Sequence, residues 1–275
     1  MPAKYAVIGN PIVQSKSPII HTHFAKITAQ DLVYTKLEGQ LGEGGFKASV
    51  DAFRAAGGSG MNVTAPFKLD AFAYATQASD RAKQAGAVNA LKFVGDEVFA
   101  ENFDGLGLVR DIEKNLKRPI EGARILLLGA GGATRGAIMP ILEKQPALLV
   151  IANRTVEKAL LLANQYAING NVKGNSFEAL EGQTFDIILN ATSASLIAQC
   201  PSVPASVFTS TSLAYELAYG KGLTPFLQLA KASGVVQVAD GVGMLVEQAA
   251  EGFFWWRGVR PDTQAIIQEL SIPLK

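Results

Sequence analysis

The feature that most restricts the fold is the segment "RILLLGAGGATRGAI", residues 124–138, where an apolar run leads into closely spaced glycines. A strand, a glycine turn and a helix in this order suit nucleotides, because glycines let the backbone approach a pyrophosphate at a helix N-terminus. Thr134 replaces the third glycine of G-x-G-x-x-G, so a tight turn without a ligand is the alternative. The strand–turn–helix context favours nucleotide binding.

Short apolar runs alternate with segments of helical periodicity along most of the chain, which predicts the α/β class. The first such run is residues 5–9, and a second series of strands and helices begins at residue 124 and resembles a Rossmann-like sheet. Between the two series, "AVNALKFVGDEVFAENF" contains two strand-like runs that meet at Gly95 and Asp96. This pattern predicts a hairpin that interrupts the alternation.

The hairpin indicates that a first domain ends near residue 103. We predict an N-terminal α/β domain of residues 1–103 plus 241–275, and a Rossmann-like domain of residues 104–240. The segment "GMLVEQAAEGFFWWRGV" has an apolar face too broad for a solvated helix, so we expect the C-terminal helices to return to the first domain. Two such domains predict a cleft that opens and closes over its ligands.

Charge and composition exclude several classes of function. With 25 basic and 24 acidic residues among 275, the net charge of +1 gives no general attraction to nucleic acid or to an anionic membrane. Cys200 is the single cysteine, and His21 and His23 are the only histidines, so we expect neither a disulfide nor a metal site. Neither a signal peptide nor a membrane span is evident, so we expect a cytoplasmic protein with a small-molecule ligand.

The second strand of the Rossmann-like series indicates which dinucleotide is bound. NAD sites normally place Asp or Glu about twenty residues after the glycines, whereas NADP sites place a cation there. Here "LLVIAN" continues as Asn153, Arg154 and Thr155, without a carboxylate before Glu157. A guanidinium beside amide and hydroxyl donors matches a phosphate in charge and geometry. NADP(H) is therefore the expected cofactor, and an exposed loop arginine is the alternative.

Polar residues of the first domain have both structural and functional interpretations. Ser17 precedes Pro18 and is a candidate N-cap, whereas Ser15 has no such role. Asn89 interrupts an apolar strand and, if buried, needs hydrogen-bond partners that a ligand can supply.

Lys68 lies in the first turn of a helix that Pro66 is expected to start. A cation there is mildly unfavourable because of the helix dipole. Asp104 either caps the helix that follows it or pairs with Lys68, and both interpretations stay open.

Over nearly its whole length, the chain resembles the shikimate dehydrogenase family. The resemblance rests on "GNPIVQSKSP", "NVTAPFK", "GAVNA", "NFDG", "GAGGATR", "NRT", "NATS", "TPF" and "DGVGMLVEQAA", in matching order and spacing. It implies the reversible NADPH-dependent reduction of 3-dehydroshikimate to shikimate, in the chorismate route to aromatic amino acids. A monomer and a homodimer are both compatible with the sequence.

The resemblance also implies a role for each matching residue. Lys68 and Asp104 match the catalytic pair, within a substrate-binding domain of residues 1–103 plus 241–275. Residues expected to bind substrate are Ser15, Ser17, Thr64, Asn89, Tyr215 and Gln248. Residues expected to bind the cofactor in the 104–240 domain and at its border are Gly129, Ala130, Gly131, Gly132, Ala133, Asn153, Arg154, Thr155, Thr192, Ser193 and Gly241.

The chemistry explains the need for a lysine and a carboxylate. Hydride delivery to the C3 ketone builds alkoxide character on oxygen, which requires a nearby proton donor and positive charge. Two interpretations of Lys68 stay open: it moves the proton, or it only positions and polarises the group that does.

Three residues depart from the family pattern. Phe103 stands where threonine is usual, Glu216 where aspartate is usual, and Ser195 where glycine is usual. Phe103 raises the alternative of a paralogue that oxidises quinate, although the Ser15 and Ser17 pair favours shikimate. A second alternative is a non-catalytic NADP(H)-binding sensor, which would have little reason to keep the polar substrate residues.

The histidines and tryptophans have structural interpretations. His21 and His23 lie two positions apart on different faces of a predicted helix, and we expect them at the surface or packed against a partner. Trp255 and Trp256 are expected to close a core or an interface.

Overall fold

The computed structural model describes residues 1–274, without the side chain of Leu196. The chain forms two compact units. The first unit is Met1–Gly107 with Val246–Ile266, and the second is Leu108–Leu245 with the residues from Ile267 onward. One contact of the last residues with the second unit is the hydrogen bond from Lys231 Nζ to the Leu274 carbonyl oxygen at 3.1 Å. The predicted domains are residues 1–103 plus 241–275 and residues 104–240. The observed division differs from them at residues 104–107, at residues 241–245 and from Ile267 onward.

The first unit contains a mixed sheet with the strand order β2-β1-β3-β5-β6-β4. Its elements are β1 (Ala3–Gly9), α1 (Ser17–Ile27), β2 (Leu32–Glu38), α2 (Gly45–Ala55), β3 (Gly58–Val63), α3 (Lys68–Tyr74), β4 (Gln77–Ala78), α4 (Asp80–Ala85), β5 (Ala90–Val94) and β6 (Glu97–Glu101). Strands β1, β2 and β3 are parallel, and β5 pairs antiparallel with β3 and with β6. The predicted hairpin is confirmed: Val94 pairs with Glu97 around Gly95 and Asp96.

The second unit contains a fully parallel sheet with the order β12-β11-β10-β7-β8-β9. Helix α5 (Asp104–Arg110) and a π-helical turn (Asp111–Asn115) precede this sheet. Its elements are β7 (Arg124–Leu128), α6 (Gly132–Leu142), β8 (Leu148–Ala152), α7 (Val156–Tyr166), β9 (Val172–Asn175), β10 (Ile187–Asn190), β11 (Leu213–Glu216), α8 (Pro225–Ala232) and β12 (Gln237–Asp240). This strand order is the doubly wound Rossmann topology, so the predicted fold class is confirmed.

Both faces of the parallel sheet are covered, which explains the continuous apolar runs of its strands. Ile125 and Leu127 of β7 face one hydrophobic cluster, whereas Leu126 and Leu128 face the other. In the first unit, residues from β1, β3 and α2 build one core, and an aromatic cluster around Trp256 builds another.

Helices α9 (Val242–Arg257) and α10 (Gln264–Leu270) end the described chain. From Val246 to Ile266 this segment belongs to the first unit, as predicted, but from Ile267 onward α10 belongs to the second unit, so the prediction that both C-terminal helices return to the first domain is wrong for most of α10. Trp256 stacks on Tyr5 with 4.7 Å between ring centroids, and its indole N–H donates to the Leu91 carbonyl oxygen at 3.0 Å. The predicted core role of Trp256 is confirmed.

The part of the chain that the structure describes contains neither a membrane-spanning helix nor a metal-binding cluster of side chains. Its longest helices are too short or too polar to cross a bilayer. Within the same residues, no group of His, Cys, Asp and Glu side chains is arranged to hold a metal ion.

Candidate active site

Lys68 and Asp104 form an ion pair in the first unit. Lys68 is the first residue of α3, and Asp104 is the first residue of α5. Lys68 Nζ lies 2.5 Å from Asp104 Oδ2, and the side chains are 35% and 16% exposed. Of the two interpretations of Asp104, its pairing with Lys68 is therefore confirmed, and the residue is the first of the helix rather than its cap. Pro66 is wrongly predicted as the first helical residue, because α3 begins two residues later.

Asn89 links this ion pair to helix α9. Its Nδ2 donates to Asp104 Oδ1 at 2.7 Å and to Gln248 Oε1 at 3.1 Å. Its Oδ1 accepts the backbone N–H of Phe103 at 2.9 Å. Because a carboxylate only accepts, the amide nitrogen of Asn89 must face Asp104, which fixes the orientation of the amide. Four predicted site residues, Lys68, Asn89, Asp104 and Gln248, therefore form one hydrogen-bonded group.

Ser15 and Ser17 lie at the start of α1, after the carboxyl end of β1. Ser15 Oγ accepts the backbone N–H of Ser17 and lies 3.3 Å from the Ser17 hydroxyl oxygen. Lys16 is the N-cap residue, so the predicted N-cap role of Ser17 is wrong. Ser15 instead satisfies one of the free N–H groups of the helix.

Thr64 lies on the same edge of the sheet as the two serines, since it follows β3, which pairs parallel with β1. Its N–H donates to the Ile8 carbonyl oxygen at 2.9 Å, and its side chain is partly exposed. Side chains beyond the carboxyl ends of parallel strands are well placed to meet a ligand.

A buried aromatic group lies behind the serines. His21 has no exposed surface and stacks on Tyr34 with 4.2 Å between centroids. Burial lowers the pKa of His21 to about 3, which the carboxamide of Asn62 partly opposes. Tyr34 donates its hydroxyl to Asn62 Oδ1 at 2.6 Å, and Asn62 Nδ2 donates to the Asn89 carbonyl oxygen at 3.3 Å. Tyr34 and Asn62 therefore hold the backbone of Asn89 in place through these hydrogen bonds.

The glycine turn of the second unit has the geometry of a phosphate site. Gly129 has a φ of +105°, and a Cβ there would lie 3.2 Å from the Ala191 carbonyl group, so only glycine fits. A Cβ at Gly131 or Gly132 would meet nothing within 4 Å. The N-terminus of α6, which Gly131 caps, therefore faces open space that an anion can enter.

Thr134 explains the missing third glycine of the motif. Its side chain is fully buried, and its hydroxyl donates to the Gly129 carbonyl oxygen at 3.0 Å. The threonine thus closes the turn from within and leaves the pyrophosphate-facing side open.

A pocket of about 720 Å³ opens beside the glycine turn. The predicted cofactor residues that line it are Gly129, Ala130, Gly131, Asn153, Arg154, Thr192 and Ser193. Gly132, Ala133, Thr155 and Gly241 are not among its lining residues, and their cofactor roles stay predictions. At Gly241 a Cβ would lie 2.1 Å from the Leu217 carbonyl oxygen, which gives this glycine a structural reason.

Tyr215 does not present its hydroxyl to a ligand. The residue is fully buried in the second unit, and its hydroxyl donates to Asp111 Oδ2 at 2.7 Å. Tyr219, which no sequence motif singled out, lies beyond the end of β11 and is only partly buried. Burial raises the pKa of Tyr219, so its phenol stays protonated near neutrality. Position relative to β11 distinguishes the two tyrosines, because Tyr215 lies inside the strand and Tyr219 lies in the loop after it.

The structure locates the three residues that depart from the family pattern, Phe103, Ser195 and Glu216. Phe103 is 4% exposed, and its ring meets Trp255 edge-on at 5.7 Å. Its N–H, not its side chain, contacts the site residue Asn89. Ser195 and Glu216 contact each other, since the Ser195 hydroxyl donates to Glu216 Oε2. The serine and the glutamate are therefore parts of one interaction.

Comparison with known proteins agrees with this arrangement. Residues 7–91 match the model described as shikimate dehydrogenase substrate binding domain, and residues 111–207 match that of shikimate / quinate 5-dehydrogenase. Residues 241–270 match the shikimate 5'-dehydrogenase C-terminal domain. The shikimate dehydrogenase (NADP(+)) of Nitrosospira multiformis is 53% identical over 270 residues, which are 98% of each chain.

Solved structures share the fold over the whole chain. An Ael1 enzyme from Pseudomonas putida is 58% identical, with a TM-score of 0.95 over 99% of this chain and 100% of that one. The shikimate 5-dehydrogenase of Thermus thermophilus, in complex with NADP(H) and shikimate, is 29% identical, with a TM-score of 0.85 over 97% of each chain. The chain belongs to the shikimate dehydrogenase family.

Proposed function

We propose that this protein catalyses the reversible NADP(H)-dependent interconversion of 3-dehydroshikimate and shikimate. The observation that carries the proposal is the Lys68–Asp104 pair, 2.5 Å apart and held by Asn89 and Gln248. Homologues above 50% identity named shikimate dehydrogenase (NADP(+)) support the same reaction.

Lys68 and Asp104 supply the charge and the proton that the reaction needs. When NADPH is bound, its reduced nicotinamide supplies the hydride. As negative charge develops on the C3 oxygen, the ammonium of Lys68 stabilises it and can donate a proton to it. Asp104 holds the ammonium in place, and it takes part in proton removal when shikimate is oxidised.

Substrate recognition falls mainly to the polar residues of the first unit. Ser15 and Ser17 are proposed to bind the carboxylate end of the substrate, since their two hydroxyls lie together beside the N-terminus of α1. Thr64, Asn89 and Gln248 are proposed to bind its hydroxyl groups. In place of Tyr215, whose hydroxyl is committed to Asp111, we propose Tyr219 as the tyrosine that contacts ligand.

Cofactor binding falls to the second unit. The open N-terminus of α6 suits the pyrophosphate, since Gly131 and Gly132 leave space there. Arg154 is exposed at the pocket wall, and we propose that it binds the 2′-phosphate with Asn153 and Thr155. We propose Thr192, Ser193 and Gly241 as the residues on the nicotinamide side.

The two units thus have different proposed duties: the first supplies proton transfer and most of the substrate contacts, and the second binds NADP(H) and supplies Tyr219. The proposed location is the cytoplasm, where a biosynthetic enzyme with one unpaired cysteine keeps its thiol reduced. The proposed assembly is a monomer or a homodimer.

A substrate and cofactor panel tests the proposal. Shikimate and quinate are each offered with NADP⁺ and with NAD⁺, and the nicotinamide absorbance is followed. We expect the highest kcat/KM with shikimate and NADP⁺. A higher value with quinate would establish the paralogue instead, and cofactor binding without turnover of either acid would establish a non-catalytic binding protein.

A further inference from the structure

A buried carboxylate lies between the two strands that end beside the cofactor pocket. Asn190 and Glu216 are register partners at the carboxyl ends of β10 and β11, and both are fully buried. Glu216 Oε2 accepts from Asn190 Nδ2 at 2.9 Å, from Thr224 Oγ1 at 3.1 Å and from the Ser195 hydroxyl. Oε1 accepts the N–H of Ala218 at 3.4 Å. Four donors therefore converge on one carboxylate.

Two of these donors connect the carboxylate to the pocket. The segment 191–202, called here the pocket loop, provides one wall of the pocket through residues that include Thr192, Ser193 and Ala194. Ser195, which lies in the middle of this loop, is 5% exposed and bonds directly to Glu216. The loop is thus tied to the sheet at a side chain that faces inward.

Asn190 makes the second connection. Its Oδ1 accepts the backbone N–H of Thr192 at 3.1 Å and the Thr192 hydroxyl at 2.7 Å. A carboxylate has no hydrogen to donate, so the side of the Asn190 amide that faces Glu216 must be the NH₂ group. Its oxygen is then left to hold Thr192. The carboxylate of Glu216 and the N–H of Thr192 therefore both require this orientation of an amide that positions a pocket residue.

We propose that Glu216 is a positioning residue for cofactor binding, which holds the pocket loop in its binding geometry through Asn190 and Ser195. The inference rests on the proposed function only for the identity of the ligand, NADP(H). Glu216 itself does not line the pocket, so it acts through the residues it holds.

The chemistry of the side chain explains why a neutral amide is a poor substitute. Glutamine at this position has one accepting oxygen and an NH₂ group, so it accepts fewer of the four donors. Its NH₂ group would face the donors of Asn190, Ser195 or Thr224, and the hydrogen bond that holds the NH₂ group of Asn190 at residue 216 would weaken. Burial raises the pKa of Glu216, and the hydrogen bonds from Ser195 and Asn190 oppose that rise.

Two variants test the proposal from opposite ends of the contact. Glu216→Gln removes the charge and keeps the size, and Ser195→Ala removes one hydroxyl of the loop and leaves the sheet intact. Ser233→Ala is the matched control, because it removes a half-buried hydroxyl of the same unit that donates only to the Leu229 carbonyl oxygen. If Glu216→Gln fails to fold, Ser195→Ala decides the question.

Three measurements are made on the full chain. Hydrogen exchange of the 191–202 amides is followed without ligand, the Kd for NADP⁺ is measured by titration, and the KM for shikimate is measured at saturating NADP⁺. We expect faster exchange confined to the pocket loop and a Kd raised about 10- to 100-fold, as loss of a charged hydrogen bond implies. The KM for shikimate should stay within about twofold of wild type, which a general loss of structure would not allow.

Unchanged exchange in the loop together with an unchanged Kd for NADP⁺ would overturn the proposal. So would a loss of stability spread over the whole second unit with no preferential effect on residues 191–202. If the wild-type chain binds no NADP⁺, the proposed function fails, and the exchange of the ligand-free loop still decides whether Glu216 positions it.

Discussion

The ammonium of Lys68 lies 2.5 Å from Asp104 Oδ2, and the other oxygen of the same carboxylate accepts from Asn89. Both oxygens of Asp104 therefore accept a hydrogen bond, and the two contacts hold the carboxylate in one orientation. An ammonium has three hydrogens, so the contact with Asp104 leaves others for a substrate oxygen. The partial exposure of Lys68 gives a ligand access to it.

Removing the ammonium should slow catalysis strongly and leave the fold intact. We expect Lys68→Ala to lower kcat about 10²- to 10⁴-fold, because general acid–base catalysis contributes about that much. The free energy of unfolding should change by about 1 kcal/mol or less, since a partly exposed ion pair contributes little. Steady-state kinetics with shikimate and NADP⁺, together with urea unfolding, measure the two effects.

Lys83→Ala is the control for this prediction. Lys83 also belongs to the first unit and forms an ion pair, with Asp80 at 3.7 Å, but this pair is exposed. The control removes the same charge, and its kcat should equal that of wild type. Wild-type turnover by Lys68→Ala would remove Lys68 from the mechanism.

Arg154 should determine the preference for NADP⁺ over NAD⁺. We expect Arg154→Ala to raise the KM for NADP⁺ about 10-fold or more, because a hydrogen bond to a charged group contributes about 1.5–3 kcal/mol. The KM for NAD⁺, which lacks the 2′-phosphate, should change little. The measurement is kcat/KM for both cofactors at saturating shikimate.

Arg124→Ala provides the comparison for Arg154. Arg124 begins β7, so it lies at the opposite end of the strand from the glycine turn, and its guanidinium packs over Phe185 at 5.5 Å. The substitution removes the same charge from the same unit. An equal loss of NADP⁺ affinity in both variants would mean that overall charge, rather than a 2′-phosphate contact, attracts the cofactor.

The sequence predicted those features that depend on local pattern. The turn at Gly129 and the hairpin at Gly95 follow from backbone conformations that glycine alone adopts easily. The pairing of Lys68 with Asp104 was one of two interpretations, and only the tertiary structure decides between capping and pairing: both carboxylate oxygens of Asp104 accept from side chains, Lys68 and Asn89.

The features that the sequence did not predict depend on contacts between distant residues. Ser195 and Glu216 each stood out singly, and no local pattern indicates that a loop hydroxyl donates to a strand carboxylate. The choice between Tyr215 and Tyr219 depends on where β11 ends, which periodicity locates only to within a few residues. The role of Ser15 at α1 depends similarly on a helix start that falls at Ser17.

Tyr215 should contribute to stability rather than to substrate binding. Tyr215→Phe leaves the buried carboxylate of Asp111 with one donor fewer, so we expect the free energy of unfolding to fall by about 1–3 kcal/mol. The KM for shikimate should stay at the wild-type value. Hydrogen exchange of the second-unit amides measures the stability, and kinetics measure the KM.

Tyr219→Phe makes the same chemical change four residues later. Its partly exposed phenol should contribute to ligand binding, so we expect the KM for shikimate to rise with little change in stability. The opposite pattern, a raised KM for Tyr215→Phe and none for Tyr219→Phe, would restore the role that the sequence resemblance gives to Tyr215.

His21 should make the first unit sensitive to acid. Its pKa falls from 6.5 in the unfolded chain to about 3 in the fold, because burial disfavours the charged imidazolium. As the pH falls below about 6.5, only the unfolded chain gains this proton, so folding loses about 1.4 kcal/mol per pH unit down to the folded pKa. The free energy of unfolding therefore has its full value above about pH 6.5, and it falls by about 3–5 kcal/mol toward pH 3 because of His21.

His21→Phe removes this proton and keeps an aromatic ring against Tyr34. The stability of the variant relative to wild type should therefore rise as the pH falls, with the largest gain between about pH 6 and about pH 4. Trp255 and Trp256, the two tryptophans of the chain, both belong to the first unit, so tryptophan fluorescence during urea unfolding reports on the unit that contains His21. His23→Phe makes the same change at the more exposed histidine and serves as the control. Parallel pH dependences for wild type and His21→Phe would mean that the imidazole gains its proton within the folded unit.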